Sequence, residues 1–219
     1  MGVAELSVLD FAGLVIGQDG ETAVGRVVEN GAVPMGLRRR MPKFALAAVR
    51  CAMGVAAPGA ELVFASRYGD VPTALALSEA IVAADLLSPS AFSACVHNAA
   101  PGLAAQILGE KSSHTAVAAG ADSLAAGLLE AWLRIEAGET REAVVLFAEG
   151  PMPEIYAGFE HEPGVPGVAL AVRVGPQKPA GDGAMAHVQP GRAGALALLE
   201  ALEGGAGRLG VRPRFGAAA

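Results

Sequence analysis

The stretch Phe92-Ser-Ala-Cys-Val-His-Asn98 joins a short apolar run to a run with helical spacing. Its reading decides both the fold and the class of function. A cysteine with a histidine close behind it invites a nucleophile–base reading. Asn98 invites a helix cap. On a strand Cys95 and His97 share a face; at a helix start they diverge.

Downstream, Asn98 opens a helix that ends near Gly109, with Pro101 inside its first turn. Thr115-Ala-Val-Ala-Ala119 reads as a buried strand. Asp122 or Ser123 caps the next helix, where Leu124, Leu128 and Trp132 line up along one face. Glu142-Ala-Val-Val-Leu-Phe-Ala148 and the run over 165–174 read as two further strands. Upstream, Glu61-Leu-Val-Phe-Ala-Ser66 is a short buried strand, and Arg67-Tyr-Gly-Asp70 turns into a helix over 71–84. A helix over 38–53 buries Met41, Phe44, Ala45, Ala48 and Ala52, with Pro42 in its first turn. The apolar run over 6–17 ends at the turn Gln18-Asp-Gly20. Residues 176–190 read as a Pro/Gly loop and 192–202 as a short helix. The tail from Gly204 is Gly-rich and reads as partly mobile. Strands alternating with helices predict an α/β layered domain.

Composition narrows the function classes. Hydrophobic residues make up 53% and charged residues 17%, enough to build a substantial core. A net charge of −6, with Arg38-Arg-Arg40 as the only basic run, argues against nucleic acid as a partner. Cys51 and Cys95 are too few for a disulfide framework. The N-terminus lacks a basic signal-peptide region, and no apolar stretch reaches the roughly 18 residues of a transmembrane segment. The expected compartment is cytoplasmic. His97, His114, His161 and His187 are scattered without ligand spacing, so no metal is expected. Gly205-Ala-Gly207-Arg-Leu-Gly210 matches GxGxxG but follows a helix, which sets the dinucleotide reading aside. Gly109-Glu-Lys-Ser-Ser113 reads as a solvated turn. Glu149, Glu154, Glu160 and Glu162 read as a solvated acidic loop.

Four stretches, taken in order, resemble the N-terminal half of a β-ketoacyl synthase. They are Arg39-Arg-Met-Pro-Lys43, the strand from Glu61 with its Gly-bearing turn, Val96-His-Asn98, and Ala118-Ala-Gly-Ala-Asp122. The strands over 142–148 and 167–174 resemble the two that close that half. The resemblance implies a thiolase-like fold, here one half: a mixed sheet with helices on its faces. It assigns residues 1–175 to a ketosynthase N-terminal-like domain and 176–219 to linker, short helix and Gly-rich tail.

In the resembling enzymes a cysteine sits at a strand-to-helix turn, where the helix N-terminus stabilises the thiolate. An ungapped match on Val96-His-Asn98 puts that slot at Phe92 or Ser93, ahead of Cys95. Such enzymes run to about twice this length and complete the site with two histidines and a lysine from a second half. None of the four histidines here matches those positions. The resemblance therefore implies a non-catalytic subunit of the short, chain-length-factor type of bacterial aryl-polyene pathways. It implies pairing with a complete β-ketoacyl synthase, work on substrates held by an acyl carrier protein, and no cofactor. Phe92 is the expected plug at a vacated nucleophile slot. Val96, His97, Asn98, Leu103, Leu128 and Trp132 are the expected partner contacts. Two other readings stay open: an acyltransferase or hydrolase using Cys95 with His97, and a homodimeric module binding an acyl carrier or acyl ligand. A half fold standing alone is also expected to expose a large apolar face.

Overall fold

The computed structural model describes residues 3–177 and 183–212. Among them, eight strands form one mixed sheet, in the order β4-β3-β5-β6-β1-β8-β7, with β2 on the free stretch of β1. The strands are β1 Ala4–Ile16, β2 Glu21–Gly25, β3 Glu61–Ala65, β4 His114–Val117, β5 Ala143–Glu149, β6 Gly167–Pro176, β7 Ala184–His187 and β8 Ala206–Val211. β3 is parallel to both β4 and β5, while β6 is antiparallel to β5 and to β1. The helices are α1 Met35–Arg38, α2 Lys43–Val55, α3 Val71–Val82, α4 Pro89–Ala94, α5 Ala99–Leu108, α6 Ser123–Glu136 and α7 Gly191–Glu203.

The period-2 alternation of the central strands splits the core in two. Val63, Ala65, Val145, Phe147, Val168 and Leu170 face α6 and α7. Leu62, Phe64, Val144, Leu146, Ala169 and Ala171 face α2 and α5. The sheet is thus covered on both faces, as a half with helices on each side requires. α6 lies close because of Gly127, where a Cβ would stand 2.9 Å from the Ala65 side chain. Arg134 on α6 then fastens the sheet edge, donating to Glu61 at 2.8 Å and to Thr115 of the β4 edge strand at 2.7 Å.

Several elements differ from the sequence expectation. The helix over 38–53 is two helices: Pro42 is extended at ψ 154° and starts α2 rather than sitting inside its first turn. The strand after Thr115 is not buried; β4 pairs only with β3 and stays half-exposed as an edge. Residues 91–94 belong to the helix α4, whose first turn is capped by the Ser88 hydroxyl accepting from the Ala91 N–H at 3.3 Å. The stretch set apart as linker and Gly-rich tail contributes β7 and β8 to the same sheet; β8 pairs with β1 through Leu209 and Val211. Its glycines did not stop it, because alternate positions carry the apolar residues a strand buries. The rest of the tail, 213–219, and part of the loop, 178–182, lie outside the described residues.

The exposed apolar surface also lies elsewhere than on the sheet. α3 has no buried residue, and α3 with its link to α5 exposes Ile81, Val82, Leu86, Leu87, Phe92 and Val96.

Candidate functional site

Parallel β3, β4 and β5 end on one rim of the sheet, the place where open α/β sheets gather their ligands. The turns after these strands meet there with the Cys95–Asn98 turn.

Asp70 follows β3 and caps α3. His97 comes from the α4–α5 turn and packs edge-on to Phe64, with ring centroids 5.6 Å apart. Burial holds the imidazole below its ordinary pKa, partly offset by a hydrogen bond to the Val117 backbone. Asp70 and His97 line a small cavity with Phe44, Phe64 and Leu103.

Cys95 points its chemistry another way. Its Sγ donates to the Phe92 carbonyl at 3.1 Å. It lines a neighbouring cleft of about 420 Å³ with Leu75, Ser78, Tyr156, Phe159 and His161, and His97 is not part of that lining. The turn has thus taken the helix-start geometry in which Cys95 and His97 diverge, and the sequence-derived pairing is not formed.

Phe92 and Ser93, at the expected slot, lie inside α4, preceded by α3 and a loop rather than by a strand. Phe92 is 63% exposed, and Ser93 Oγ donates to the Pro89 carbonyl at 2.9 Å. Ala118-Ala-Gly-Ala-Asp122 is a separate strand-to-helix turn, between β4 and α6, where Gly120 takes φ 58°. The hydroxyl that follows it, on buried Ser123, donates to the Gly120 carbonyl at 2.7 Å and accepts from the Ala119 N–H at 3.0 Å.

The acidic loop is not simply solvated. Glu149, at the end of β5, is only 7% exposed and accepts from the Arg67 N–H. Burial pushes its pKa up to about 7, against the pull of that N–H and of Arg192. Arg192, 3% exposed at the start of α7, donates to Glu160 at 3.0 Å and to the Gly150 and Glu162 carbonyls at 2.7 and 2.6 Å. The Glu162 carboxylate accepts from the Arg192 and Ala193 N–H groups, which closes the α7 N-terminus. Burial would raise the Glu160 pKa, but the Met152 and Glu162 N–H groups and Arg192 outweigh it and hold it down to about 2. No partner for these carboxylates is visible in their own segment, because Arg192 comes from a distant helix.

Of the expected partner contacts, Val96 and Asn98 are exposed and Leu103 and Trp132 half-buried. Leu128 is a correction: at 0% exposure it lies wholly inside the core facing β3 and β5, and so supports a surface without forming one. Among the described residues no three His, Cys, Asp or Glu side chains are grouped to hold a metal, and no helix is long and apolar enough to cross a membrane.

Solved structures share this architecture. A chain of the ketosynthase (ApeO) complex with its chain length factor (ApeC) from Xenorhabdus doucetiae superposes with a TM-score of 0.72 at 20% identity, over 93% of this chain and 96% of that one. The ishigamide ketosynthase/chain length factor gives 0.61 at 17% identity, over 82% of this chain and 63% of that one. A β-ketoacyl synthase from Burkholderia phymatum gives 0.61 at 10% identity, over 81% and 60%. This chain therefore spans under two thirds of the latter two. No curated protein sequence matches it. The sequence model of the β-ketoacyl synthase N-terminal domain matches residues 18–198, most of the sheet and both helix layers, and the chain belongs to that family.

Proposed function

We propose that this protein is a non-catalytic ketosynthase-like subunit of chain-length-factor type, pairing with a complete β-ketoacyl synthase that elongates chains carried on an acyl carrier protein. The observation that carries this reading is the Phe92–Asn98 segment. The match on Val96-His-Asn98 puts the nucleophile slot at Phe92 or Ser93, a phenyl ring and a hydroxyl that donates to the Pro89 carbonyl. A nucleophile needs a base in reach; the Cys95 thiol donates to the Phe92 carbonyl and lines a different cavity from His97.

The likeness to a chain of the ApeO–ApeC complex, covered over 96% of that chain's own length, supports the same reading. The aryl-polyene type of product rests on the family resemblance of the sequence.

The role would be steric. The half-exposed β4 edge and the apolar ridge of Leu86, Leu87, Phe92 and Val96 offer surface for the partner. A growing apolar chain gains roughly 0.8 kcal/mol per methylene it buries. Phe92, exposed on α4, would end that gain by filling the far end of the partner's tunnel. The test is Phe92→Ala in the partnered complex, reading the product-length distribution. Longer products are expected; an unchanged distribution removes Phe92 from the role.

A further inference from the structure

α3 is an apolar helix without a core to lie on. Its sequence, Val71-Pro-Thr-Ala-Leu-Ala-Leu-Ser-Glu-Ala-Ile-Val82, carries a single charge, at Glu79. A helix that is apolar all round belongs in an interior. Yet none of its residues is buried, and the element it packs against most is α4 rather than a strand.

One side of α3 borders a hollow. Val71, Ala74, Leu75 and Ser78 share a helix face by their spacing, and all four line the cleft of about 420 Å³. Met152, Tyr156 and Phe159 line it from the segment that holds the 3₁₀ turn Glu154–Phe159. Tyr68 lines it as well, so both tyrosines of the chain are here. Asp70 is the only carboxylate on this lining, which has no lysine or arginine. Aromatic and Met side chains with few charges are the composition of an interface centre. The wall that bears Phe159 is anchored, because the next residue, Glu160, is held by Arg192 at 3.0 Å.

The apolar surface extends past the cleft. Among the described residues, nine of the eleven exposed large apolar side chains fall within 68–96 and 155–159, each 38–101% exposed. At roughly 150 Å² for a whole large side chain, they supply on the order of 800 Å², one partner's share of a standard interface. A small ligand in the cleft would leave Ile81, Val82 and Ile155, none of which lines it, in water. A protein surface can cover the cleft and these residues together.

We propose that the cleft between α3 and the Glu154–Phe159 turn is a seat for the partner synthase, which inserts an apolar segment there and buries α3. This rests on the reading of the chain as a synthase partner, and adds where the partner sits. Tyr68, Leu75, Tyr156 and Phe159 form the centre of the contact.

The test uses the full chain, alone and co-expressed with a complete β-ketoacyl synthase, read by hydrogen exchange. Amides over 71–82 and 154–159 are expected to exchange at least about tenfold more slowly in the heterodimer, with β6 unchanged. Leu75→Arg places a charge in the seat. The lone variant is expected to keep the parent's urea midpoint, since α3 has no buried residue, and to bind the synthase about 30-fold more weakly or worse. A heterodimer that leaves 71–82 exchanging as in the lone chain, or that forms equally well with Leu75→Arg, overturns this seat and leaves the pairing itself standing. Absence of any heterodimer with the parent chain overturns both. Slow exchange over 71–82 already present in the lone chain, from a second copy or a retained small molecule, assigns the cleft to that occupant and overturns the seat.

Discussion

Cys95 and His97 share one turn but address different neighbours: the Cys95 thiol donates to the Phe92 carbonyl at 3.1 Å, while the His97 ring stands edge-on to Phe64 at 5.6 Å. A thiol becomes a strong nucleophile through a base or cation that draws off its proton, and His97 is turned away from that task. Iodoacetamide followed by intact mass measurement should label Cys95 at the rate of an ordinary accessible thiol. A fast, saturable reaction near neutral pH would point instead to an activated cysteine. Cys51 should stay unlabelled until the protein unfolds, since it is fully buried and burial pushes its pKa up to about 12.

Glu149 should make stability fall as pH rises. Burial raises its folded pKa to about 7, above the ordinary 4.5. The folded state therefore holds the proton more tightly than the unfolded chain, and stability declines between about pH 4.5 and pH 7, then levels off. The full shift corresponds to on the order of 3 kcal/mol. Glu149→Gln removes the charge and keeps an acceptor for the Arg67 N–H. Urea midpoints at pH 5 and pH 8 should show the variant losing this slope and gaining stability at pH 8. A variant with the parent's pH dependence would assign the slope to another group.

Arg192 should be the costliest polar residue to remove. Its guanidinium serves Glu160 and two backbone carbonyls at once. Arg192→Met strands the Glu160 carboxylate and those carbonyls; breaking a buried pair in this way costs about 3–5 kcal/mol. Arg192→Lys should recover little, because a single ammonium cannot reproduce the planar fork. Urea denaturation reads both variants, and a loss below about 1 kcal/mol for Arg192→Met would contradict the network's role.

Leu128 and Phe92 should separate folding from partnering. Leu128→Ala opens a cavity in the core beneath α6 and should cost about 2–5 kcal/mol. Phe92→Ala removes an exposed side chain and should leave the isolated chain within about 0.5 kcal/mol of the parent. A large stability loss for Phe92→Ala would mean that α4 packs more tightly than its exposure indicates.

What the sequence made legible follows from how local each signal is. β3, β5 and β6 declared themselves because uninterrupted Val, Leu, Ala and Phe runs are what strands buried on both faces require. α5 was bounded by Asn98 and Gly109, both short-range signals. β8 was missed because its glycines mask the alternation of Leu209 and Val211, and only pairing with β1 makes a strand of it. The Arg192 cluster was missed because nothing in one segment announces a partner in another. The candidate nucleophile slot was placed by the match on Val96-His-Asn98; that it lies in a short helix was not legible, because the small and apolar residues over 91–95 suit a strand or a helix alike.

The central claim is that this chain takes part in condensation without performing it. The most direct measurement is the condensing activity of the complex purified after co-expression with a complete β-ketoacyl synthase, comparing the parent chain with Cys95→Ser. The account predicts a stable heterodimer with the same turnover in both. Loss of turnover in Cys95→Ser with the heterodimer intact, or failure of the two chains to associate, would contradict it.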